Sequence, residues 1–472
     1  MNLNTLKTRF APSPTGLIHL GNVRTALFNW LMAKSQQGHF LLRIEDTDQE
    51  RSKTEYVQAL EEDLSWLGLN WWQGTLDDGS QTPCMQSDRS AVYHDYYRKL
   101  EGAGLAYPCF CSATELEVSR KVQRASGRAP RYEGRCGFLG KEEVQTKLDQ
   151  GLKPTLRFRV PRGETVEFED LVRGTQKFAS DEIGDFIIRR ADGTPAFFFS
   201  NAIDDSLTGV TCVLRGEDHL TNTPRQLMLL QALKLRAPEY GHISMIVGDD
   251  GSPLSKRHGS RSVAELRKNG YLPNAVNNYL ARLGHYYKDN QCMSLDELAA
   301  QFGASNLGRA PARYDVAQLD YWQKEVIAQI DVESLWLWMG EEVHSLVPQD
   351  KKEVFVEAVR PNIKLPHDAL LWAHHLFAKT LDLQGDALQI VQQAGTDFFK
   401  AAIEAVMAHP SDFKLLNKQI KETTGAKGRG LFQPLRIAMT GEHNGPEMSA
   451  LLSLMGEERI RQRFEHCLEI IS

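Results

Sequence analysis

The chain has 472 residues and a formal net charge of -6, with 42% hydrophobic and 25% charged residues. These values are typical of a globular protein of about three or more domains. No stretch has the roughly 18 apolar residues of a membrane helix. The N-terminus also lacks the apolar core of a secretion signal, so we expect a cytoplasmic protein that binds no membrane. The acidic balance does not exclude a nucleic-acid partner, because such binding depends on local patches of charge.

The first predicted elements alternate between strand and helix. Residues 7–11 and 39–44 are short apolar runs that predict strands. Residues 21–36, and those from 54 onward, carry apolar side chains at helical spacing. Strands and helices that alternate with short connections indicate a doubly wound parallel sheet. We therefore expect the chain to begin with an α/β domain.

The stretch "RFAPSPTGLIHLGN", which begins at Arg9, joins the first strand to the first helix. The chain has no GxxxxGK[ST] phosphate loop. His19 and Gly21 instead stand where the helix begins, and a helix N-terminus offers free N–H groups and a partial positive charge. Gly21 leaves room for a ligand, and His19 can donate to a phosphorus oxygen as charge builds up there. Taken alone, the segment fits an ordinary helix start better.

The next segment, residues 93–190, interrupts this pattern and is predicted to be an inserted α+β domain. It contains three clustered cysteines, Cys109, Cys111 and Cys136, together with Tyr132. Such a cluster, in a chain without a disulfide framework, indicates a metal site, and structural zinc takes four ligands. Three thiols and one phenol are therefore the candidate zinc ligands, with buried free thiols as the alternative.

The α/β pattern resumes after the insert. Asp192-Gly193 predicts a hairpin turn between two apolar runs. Residues 209–218 predict a buried strand, and residues 222–236 predict a helix with a proline near its first turn. The parallel sheet is therefore expected to continue here.

A glycine-rich loop, "GDDGSPLSKRHGS", follows the last predicted strand and carries Ser255, Lys256 and Arg257. Lysine is a compact cation that can neutralise phosphate charge, and a loop can bring it to the site on closure. Alone, these three residues would indicate an ordinary surface loop.

Helical periodicity dominates the C-terminal third. The residues Ile460, Phe464, Leu468 and Ile471 share one helix face, and turn residues become sparse from about Trp322 onward. Residues 414–430 are rich in lysine, which is typical either of a solvated helix face or of a patch that contacts phosphates. We expect an all-helical C-terminal region.

Two motifs, "HLGN" after the first strand and "LSKR" after the last, resemble the paired signature of class I aminoacyl-tRNA synthetases. Further stretches, in the same order, are similar to bacterial glutamyl-tRNA synthetases over nearly the whole chain. They are "RIEDTDQERS", "GDFIIRRADGTPAFFFSNAIDD", "GVTCVLRGEDHLTNTPRQ", "GYLPNAVNNYLARLGH" and "GLFQPLRIAMTG". The resemblance implies a ligase that activates L-glutamate with ATP and Mg²⁺, releases pyrophosphate and transfers glutamate to the 3′-terminal adenosine of tRNA-Glu. It leaves open whether tRNA-Gln is charged as well.

The resemblance also implies a division of the chain. It gives a Rossmann catalytic core in residues 1–92 and 191–258, an acceptor-end insert in 93–190, a stem-contact region in 259–322 and an anticodon-binding region in 323–472. It further implies a monomer that binds tRNA and not DNA.

The same resemblance implies the residues of the site. ATP is expected to contact Pro12, Thr15, Gly16, His19, Gly21, Leu254, Ser255, Lys256 and Arg257, and the catalytic residues are His19, Gly21 and Lys256. Glutamate is expected to contact Arg9, Ala11, Ser13, Glu45, Phe197, Asn201 and Arg215. Glutamate has one ammonium group and two carboxylates, which Glu45 and the guanidinium groups of Arg9 and Arg215 match in charge. For Glu45 and Arg215, a salt bridge at the strand ends is the alternative.

Three positions depart from the family pattern. Phe197 stands where tyrosine is common, and Pro253 stands where a lysine opens the second motif, so we expect Lys256 to carry the charge alone. Phe138 stands where a histidine zinc ligand is usual. Tyr132 resembles the oxygen ligand of a shorter relative that glutamylates tRNA-Asp.

Four other functions are compatible with parts of the sequence. The shorter relative needs no anticodon-binding part, and the helical third argues against it. A nucleotidylyl transferase would exchange pyrophosphate without glutamate. A non-catalytic RNA-binding paralogue would have a degenerate site. Glutaminyl-tRNA synthetases share the catalytic core, but their C-terminal part is a β-barrel.

Overall fold

The computed structural model describes residues 5–48, 50–254, 262–378 and 381–471. The chain forms two compact units, one of residues 1–266 and 276–316 and the other of residues 267–275 and 317–472. The chain passes from one unit to the other after residues 266, 275 and 316. Among the described helices, none is both long and apolar enough to cross a bilayer.

The strands of the described residues all lie in the first unit. They are β1 (Lys7–Phe10), β2 (His39–Ile44), β3 (Cys84–Met85), β4 (Ala106–Cys109), β5 (Thr155–Phe158), β6 (Thr165–Asp170), β7 (Gly174–Ala179), β8 (Phe186–Arg189), β9 (Cys212–Gly216), β10 (Glu239–Ile243), β11 (Ile246–Val247) and β12 (Ala312–Arg313).

Helices accompany these strands and make up most of the second unit. Those that begin in the first unit or at its boundary are α1 (Leu20–Ser35), α2 (Thr54–Trp66), α3 (Ser90–Gly102), α4 (Ala113–Ala125), α5 (Lys141–Asp149), α6 (Ser180–Ile183), α7 (Phe197–Leu207), α8 (Thr223–Leu233), α9 (Val263–Lys268), α10 (Pro273–Arg282), α11 (Leu295–Ala300) and α12 (Val316–Gln329). The others are α13 (Val332–Met339), α14 (Glu341–Leu346), α15 (Lys352–Val359), α16 (Pro366–Phe377), α17 (Gly385–Ala408), α18 (Phe413–Thr424), α19 (Arg429–Thr440) and α20 (Met448–Ile471).

A parallel sheet forms the centre of the first unit, as the sequence predicted. Strand β2 pairs in parallel with both β1 and β3, and β9 pairs in parallel with β10. The Thr211 N–H, just before β9, donates to the Lys7 carbonyl at 2.9 Å and so links β9 to β1. Helix α1, predicted over residues 21–36, buries one face with Val23, Leu27 and Leu31. The α/β core, in which ligands bind at the carboxyl ends of the strands, is confirmed.

One local prediction is wrong. The turn at Asp192-Gly193 forms, but the apolar run after it is helix α7 and not a second hairpin strand. Ala196 is the last extended residue, and its carbonyl accepts the N–H groups of Phe199 and Ser200, which starts the helix. A short apolar run has the same hydrophobic pattern in a buried strand and in a buried helix, so periodicity could not separate them.

Residues 93–190 contain two small sheets. One is the antiparallel order β4-β5-β8, which lies beside helices α4 and α5 in the chain. The other is the β6–β7 hairpin, which joins the central sheet because β6 pairs in parallel with β10, with Asp170 opposite Tyr240. The end of β6 therefore lies beside strands that carry predicted site residues.

The described residues of the second unit form helices without strands, as predicted for the C-terminal region. Its core includes Ile460 and Phe464 of α20, both almost fully buried, and Leu468 and Ile471 pack against that core from a less buried position. Helices α17 and α20 each bend at a glycine with positive φ, Gly395 and Gly456.

Candidate active site

A cavity of about 370 Å³ lies at the carboxyl ends of β1, β2 and β9 and at the N-terminus of α1. It is lined by Arg9, Phe10, Ala11, Pro12, Ser13, Thr15, His19, Gly21, Asn22, Arg24, Thr25, Glu45, Phe197, Asn201, Arg215, Gly216, Asp218, His219, Met245, Ile246, Pro253 and Leu254. The lining includes the whole predicted glutamate set, and Pro12, Thr15, His19, Gly21 and Leu254 of the predicted ATP set. Gly16 is not among the lining residues, and Ser255, Lys256 and Arg257 lie outside the described residues.

The predicted glutamate-contacting residues all line this cavity. The charged ones are buried, with Arg9 at 5%, Glu45 at 6% and Arg215 at 4% exposure. Arg9 lies near the end of β1, Glu45 follows β2 and Arg215 lies in β9, so the parallel sheet brings together residues far apart in the chain. Charged side chains are rarely buried unless they are paired, which makes their partners informative.

Asp205 of α7 holds two arginines in place. Its Oδ1 accepts from Arg9 Nε at 3.3 Å and also from Arg43. Burial acts to raise the pKa of Asp205, but the guanidinium groups of Arg43 and Arg9 outweigh it and hold that pKa below its usual value. Neither Asp205 nor Arg43 was predicted as a site residue. They join β1, β2 and α7 beneath the cavity.

Glu45 is left without a full set of partners. Arg43 donates at 2.6 Å to Asn201 Oδ1 and reaches Glu45 Oε1 only at 3.6 Å. That Oε1 is buried and has no hydrogen-bond partner. Burial raises the pKa of Glu45, and the nearby guanidinium groups of Arg43 and Arg9 do not fully offset it. The carboxylate therefore has a cation within ion-pair distance but no hydrogen bond to Oε1.

Arg215 is fixed by three neighbours and keeps one nitrogen unpaired. Its Nη2 donates to Thr223 Oγ1 at 2.8 Å and to Gln226 Oε1 at 2.7 Å, and its Nε donates to His242 Nε2 at 3.1 Å. The buried Nη1 has no hydrogen-bond partner. Burial lowers the pKa of Arg215 to about 10. The side chain is held rigidly and remains a cation at neutral pH.

The α1 N-terminus forms the other side of the cavity. His19 is the N-cap residue, but its ring makes no capping hydrogen bond and remains accessible. A Cβ at Gly21 would lie 3.3 Å from His19 Nδ1, so any larger residue there would crowd the ring. Pro12, Thr15 and Leu254 line the same region. The arrangement leaves N–H groups and an imidazole facing open space, which suits an anionic ligand.

The cavity also includes residues that the sequence analysis did not select. The His219 ring stacks on Phe197 with centroids 5.1 Å apart, and burial lowers the pKa of His219 to about 4, so its imidazole is neutral at pH 7. Arg24 donates to the carbonyls of Leu283 and Ser244, which fixes the first turn of α1. His219 could have been found from the sequence, because it follows the end of β9 closely.

The predicted metal ligands form a separate cluster. The thiols of Cys109, Cys111 and Cys136 lie within 4.8 Å of one another. Among the described residues, no other group of three or more histidine, cysteine or acidic side chains is close enough together to hold a metal ion. Tyr132 Oη is 3.4 Å from Cys109 Sγ and 3.5 Å from Cys111 Sγ, and the two sulfurs of Cys111 and Cys136 are 3.6 Å apart. Phe138 is 85% exposed, and its side chain offers no ligand atom.

This cluster fits a tetrahedral metal. Zn–S bonds of about 2.3 Å separate two sulfur ligands by roughly 3.7 Å, close to the 3.6 Å between Cys111 Sγ and Cys136 Sγ. Burial acts to raise the pKa of Cys109, but its hydrogen bonds with Tyr132, Arg157 and the backbone of Cys111, together with the charge of Arg157, outweigh this effect and lower the pKa to about 7. Burial raises the pKa of Cys111 to about 11.

Matches to known families define the class. Residues 5–321 match the family described as tRNA synthetases class I (E and Q), catalytic domain, and residues 317–468 match an anticodon binding domain. The first match spans well over half of the chain and includes the central sheet and the cavity. The chain is therefore a class I tRNA synthetase of this E and Q family.

Comparison with individual relatives assigns the chain to one branch of this family. The chain is 60% identical over 469 residues to "Glutamate--tRNA ligase 2" of Nitrosococcus oceani, covering 99% of both chains. It is 52% identical over 464 residues to a protein of the same name from Coxiella burnetii, covering 98% of this chain and 100% of that one. A crystal structure of a glutamate tRNA ligase from Elizabethkingia meningosepticum, in complex with its amino acid, superposes with a TM-score of 0.88 at 27% identity, covering 99% and 100% of the chains. The chain belongs to the glutamate–tRNA ligase family.

Proposed function

We propose that the cavity binds L-glutamate and ATP side by side and supports the reaction of the family. The chain is an ATP-dependent glutamate–tRNA ligase. It activates glutamate to glutamyl-adenylate with release of pyrophosphate and then transfers glutamate to the 3′-terminal adenosine of tRNA. Glutamate is the nucleophile of the first step, through its α-carboxylate, and the tRNA hydroxyl is the nucleophile of the second.

One observation carries the proposal for glutamate. Glu45 Oε1 and Arg215 Nη1 belong to side chains of opposite charge that line the cavity, and both atoms are buried without a hydrogen-bond partner. Arg24 Nε is a third such atom, on a guanidinium whose two Nη groups donate to backbone carbonyls. Buried polar atoms are nearly always paired, so such atoms in a cavity are best explained by a ligand that pairs with them. A ligand with an ammonium and a carboxylate does so. Arg9 adds a second cation at the same cavity, which suits a second carboxylate.

For ATP, we propose the α1 N-terminus as the phosphate-binding region. His19 and Gly21 lie there together, with Pro12, Thr15 and Leu254 beside them. N–H groups and the partial positive charge of the helix end attract phosphate, and His19 donates to an oxygen of the α-phosphate as negative charge builds up there. Gly16, Ser255, Lys256 and Arg257 are proposed ATP contacts on the family resemblance alone. Mg²⁺ accompanies the phosphates, and no protein ligand is assigned to it.

We further propose that Cys109, Cys111, Tyr132 and Cys136 hold a structural zinc ion. The spacing of the three sulfurs and the phenol oxygen supports this set. When bound, the ion would crosslink β4 to the segment around Cys136 and take no part in the chemistry. Three thiols and one oxygen donor leave no open position for a substrate.

The remaining assignments follow the family. We propose that residues 93–190 contact the tRNA acceptor end, residues 259–322 the stem, and residues 323–472 the anticodon. The match of residues 317–468 to an anticodon binding domain supports the last of these. We also propose a cytoplasmic monomer.

Side-by-side charging of purified tRNA-Glu and tRNA-Gln, with labelled glutamate and ATP, tests the function. We expect glutamate-dependent charging of tRNA-Glu. Charging of tRNA-Gln as well would define a relaxed enzyme whose product requires later amidation. Pyrophosphate exchange that continues without glutamate would reject the proposal in favour of a nucleotidylyl transferase.

A further inference from the structure

Three neighbouring strands carry a chain of buried polar groups behind the cavity. Asp170 ends β6, His242 lies in β10 and Arg215 lies in β9, and the sheet order places β10 between the other two strands. In the parallel pairing of β9 with β10, His242 stands directly opposite Arg215. The side chains of Asp170 and His242 are both 0% exposed. These contacts are therefore built into the sheet register.

Each residue of this chain donates a hydrogen bond to the next, from Arg215 to His242 and from His242 to Asp170. His242 Nδ1 is 2.5 Å from Asp170 Oδ2, and His242 Nε2 is 3.1 Å from Arg215 Nε. Arg215 Nε can only donate, so Nε2 must be the acceptor, and the imidazole proton must lie on Nδ1. Asp170 accepts that proton's hydrogen bond. Burial lowers the pKa of His242, which keeps the ring neutral and able to accept.

Each end of this chain is anchored. Asp170 Oδ1 accepts from the N–H groups of Val172 at 2.9 Å and Arg173 at 2.8 Å, so the carboxylate cannot rotate away. Thr223 Oγ1 lies 3.0 Å from His242 Nε2 and 2.8 Å from Arg215 Nη2. Arg215 Nε and Nη2 are therefore held by hydrogen bonds to protein groups, whereas Nη1 has no partner, in a side chain that lines the cavity.

We propose that His242 and Asp170 are positioning residues that set the orientation of Arg215 and thereby the affinity for the amino-acid substrate. Neither residue lines the cavity, so they act only through Arg215. A guanidinium is planar, and its direction is set once Nε and one Nη are bound. The inference rests on the proposed role of Arg215 in binding a carboxylate of glutamate.

Two substitutions at one position separate this role from a merely structural one. In His242→Gln, the side-chain oxygen can take the place of Nε2 and still accept from Arg215 Nε. In His242→Asn, the amide nitrogen can take the place of Nδ1 and still donate to Asp170, but Arg215 Nε loses its acceptor. Both variants lose the same ring, so a packing defect would affect them alike.

The measurement is ATP–pyrophosphate exchange in the presence of tRNA, with separate titrations of glutamate and ATP and the melting temperature of each variant. For His242→Asn we expect the KM for glutamate to rise by about tenfold to a hundredfold, because a hydrogen bond to a charged group is lost. The KM for ATP should be unchanged. His242→Gln should stay within about threefold of the parent chain for both substrates. Equal rises in glutamate KM for the two variants, or parallel rises for glutamate and ATP, would overturn the proposal.

Nitrogen NMR of the histidine-labelled parent chain gives a second test that needs no variant. We expect the His242 signal to report the neutral tautomer with its proton on Nδ1. A proton on Nε2 would overturn the proposal even if neither variant folds. Failure of the proposed function is distinguishable, because the parent chain itself would then show no glutamate-dependent exchange.

Discussion

Arg43 and Asp205 form an ion pair between side chains that are 3% and 0% exposed, directly beneath the cavity. The same Asp205 oxygen also accepts from Arg9, so one carboxylate orients a cation that faces the substrate and another that lies behind Glu45. A buried pair of this kind contributes little net stability but is costly to break, because the remaining charge stays buried.

Removing one partner should therefore destabilise the fold. For Asp205→Asn we expect a loss of about 3–5 kcal/mol in the free energy of unfolding of the first unit, measured by urea denaturation. Asp77→Asn is the matched control, because Asp77 pairs with Lys7 at the surface with 43% exposure and should cost at most about 1 kcal/mol. Similar losses in the two variants would show that breaking the buried pair costs no more free energy of unfolding than breaking a surface pair.

The outcome for Asp205 illustrates what could be predicted from the sequence. Arg9, Glu45 and Arg215 were predicted because the stretches that contain them resemble glutamyl-tRNA synthetases. The structure places all three at the carboxyl ends of parallel strands, where ligands of such sheets bind. Asp205 could not be predicted, since its partner Arg9 is 196 positions away and only packing brings them together. His242 pairs with Asp170 across 72 positions and was missed for the same reason. Helix α7 was missed because a short apolar run carries no period that separates strand from helix.

Arg215→Ala tests the glutamate site directly. We expect the KM for glutamate to rise by about a hundredfold, since the cavity loses a desolvated cation opposite a substrate carboxylate. The KM for ATP should be unchanged in the same exchange assay. Arg225→Ala is the control, because Arg225 lies on the neighbouring helix α8, bonds only the Thr221 carbonyl among the contacts described and does not line the cavity. Unchanged glutamate kinetics in Arg215→Ala would reject the assignment.

Lys256→Ala tests the second motif, which lies outside the described residues. Pro253 replaces the lysine that usually opens this motif, so Lys256 is expected to neutralise phosphate charge in the transition state alone. The rate of adenylate formation should fall by about a thousandfold. It is measured as the release of pyrophosphate in a single turnover. Lys34→Ala, at an exposed position in the last turn of α1 that does not line the cavity, should behave like the parent chain. Normal adenylate formation in Lys256→Ala would remove it from the catalytic residues.

Zinc content tests the cysteine cluster. Protein purified without chelator should contain about one zinc ion per chain by elemental analysis, as expected for a closed four-ligand site. Cys136→Ser should lose the ion and lower the melting temperature, whereas Cys292→Ser, outside the cluster, should retain it. Tyr132→Phe removes only the phenol oxygen and should weaken retention of the ion during dialysis against chelator. Parent protein with no bound zinc would show that the thiols are free.

The pH dependence of glutamate binding tests the charge of Glu45. Burial raises the pKa of Glu45 in the free enzyme, whereas a bound ammonium requires the ionised carboxylate. Affinity is therefore lost as the pH falls through this raised value, and the KM for glutamate should decrease as the pH increases from about 5 towards about 8. Glutamate keeps the same net charge over most of this range, so the substrate does not contribute to the change. Glu45→Gln should have a high KM that no longer varies with pH, while its KM for ATP follows that of the parent chain. If the parent chain and Glu45→Gln showed the same pH profile for glutamate, another group would have to hold the ammonium.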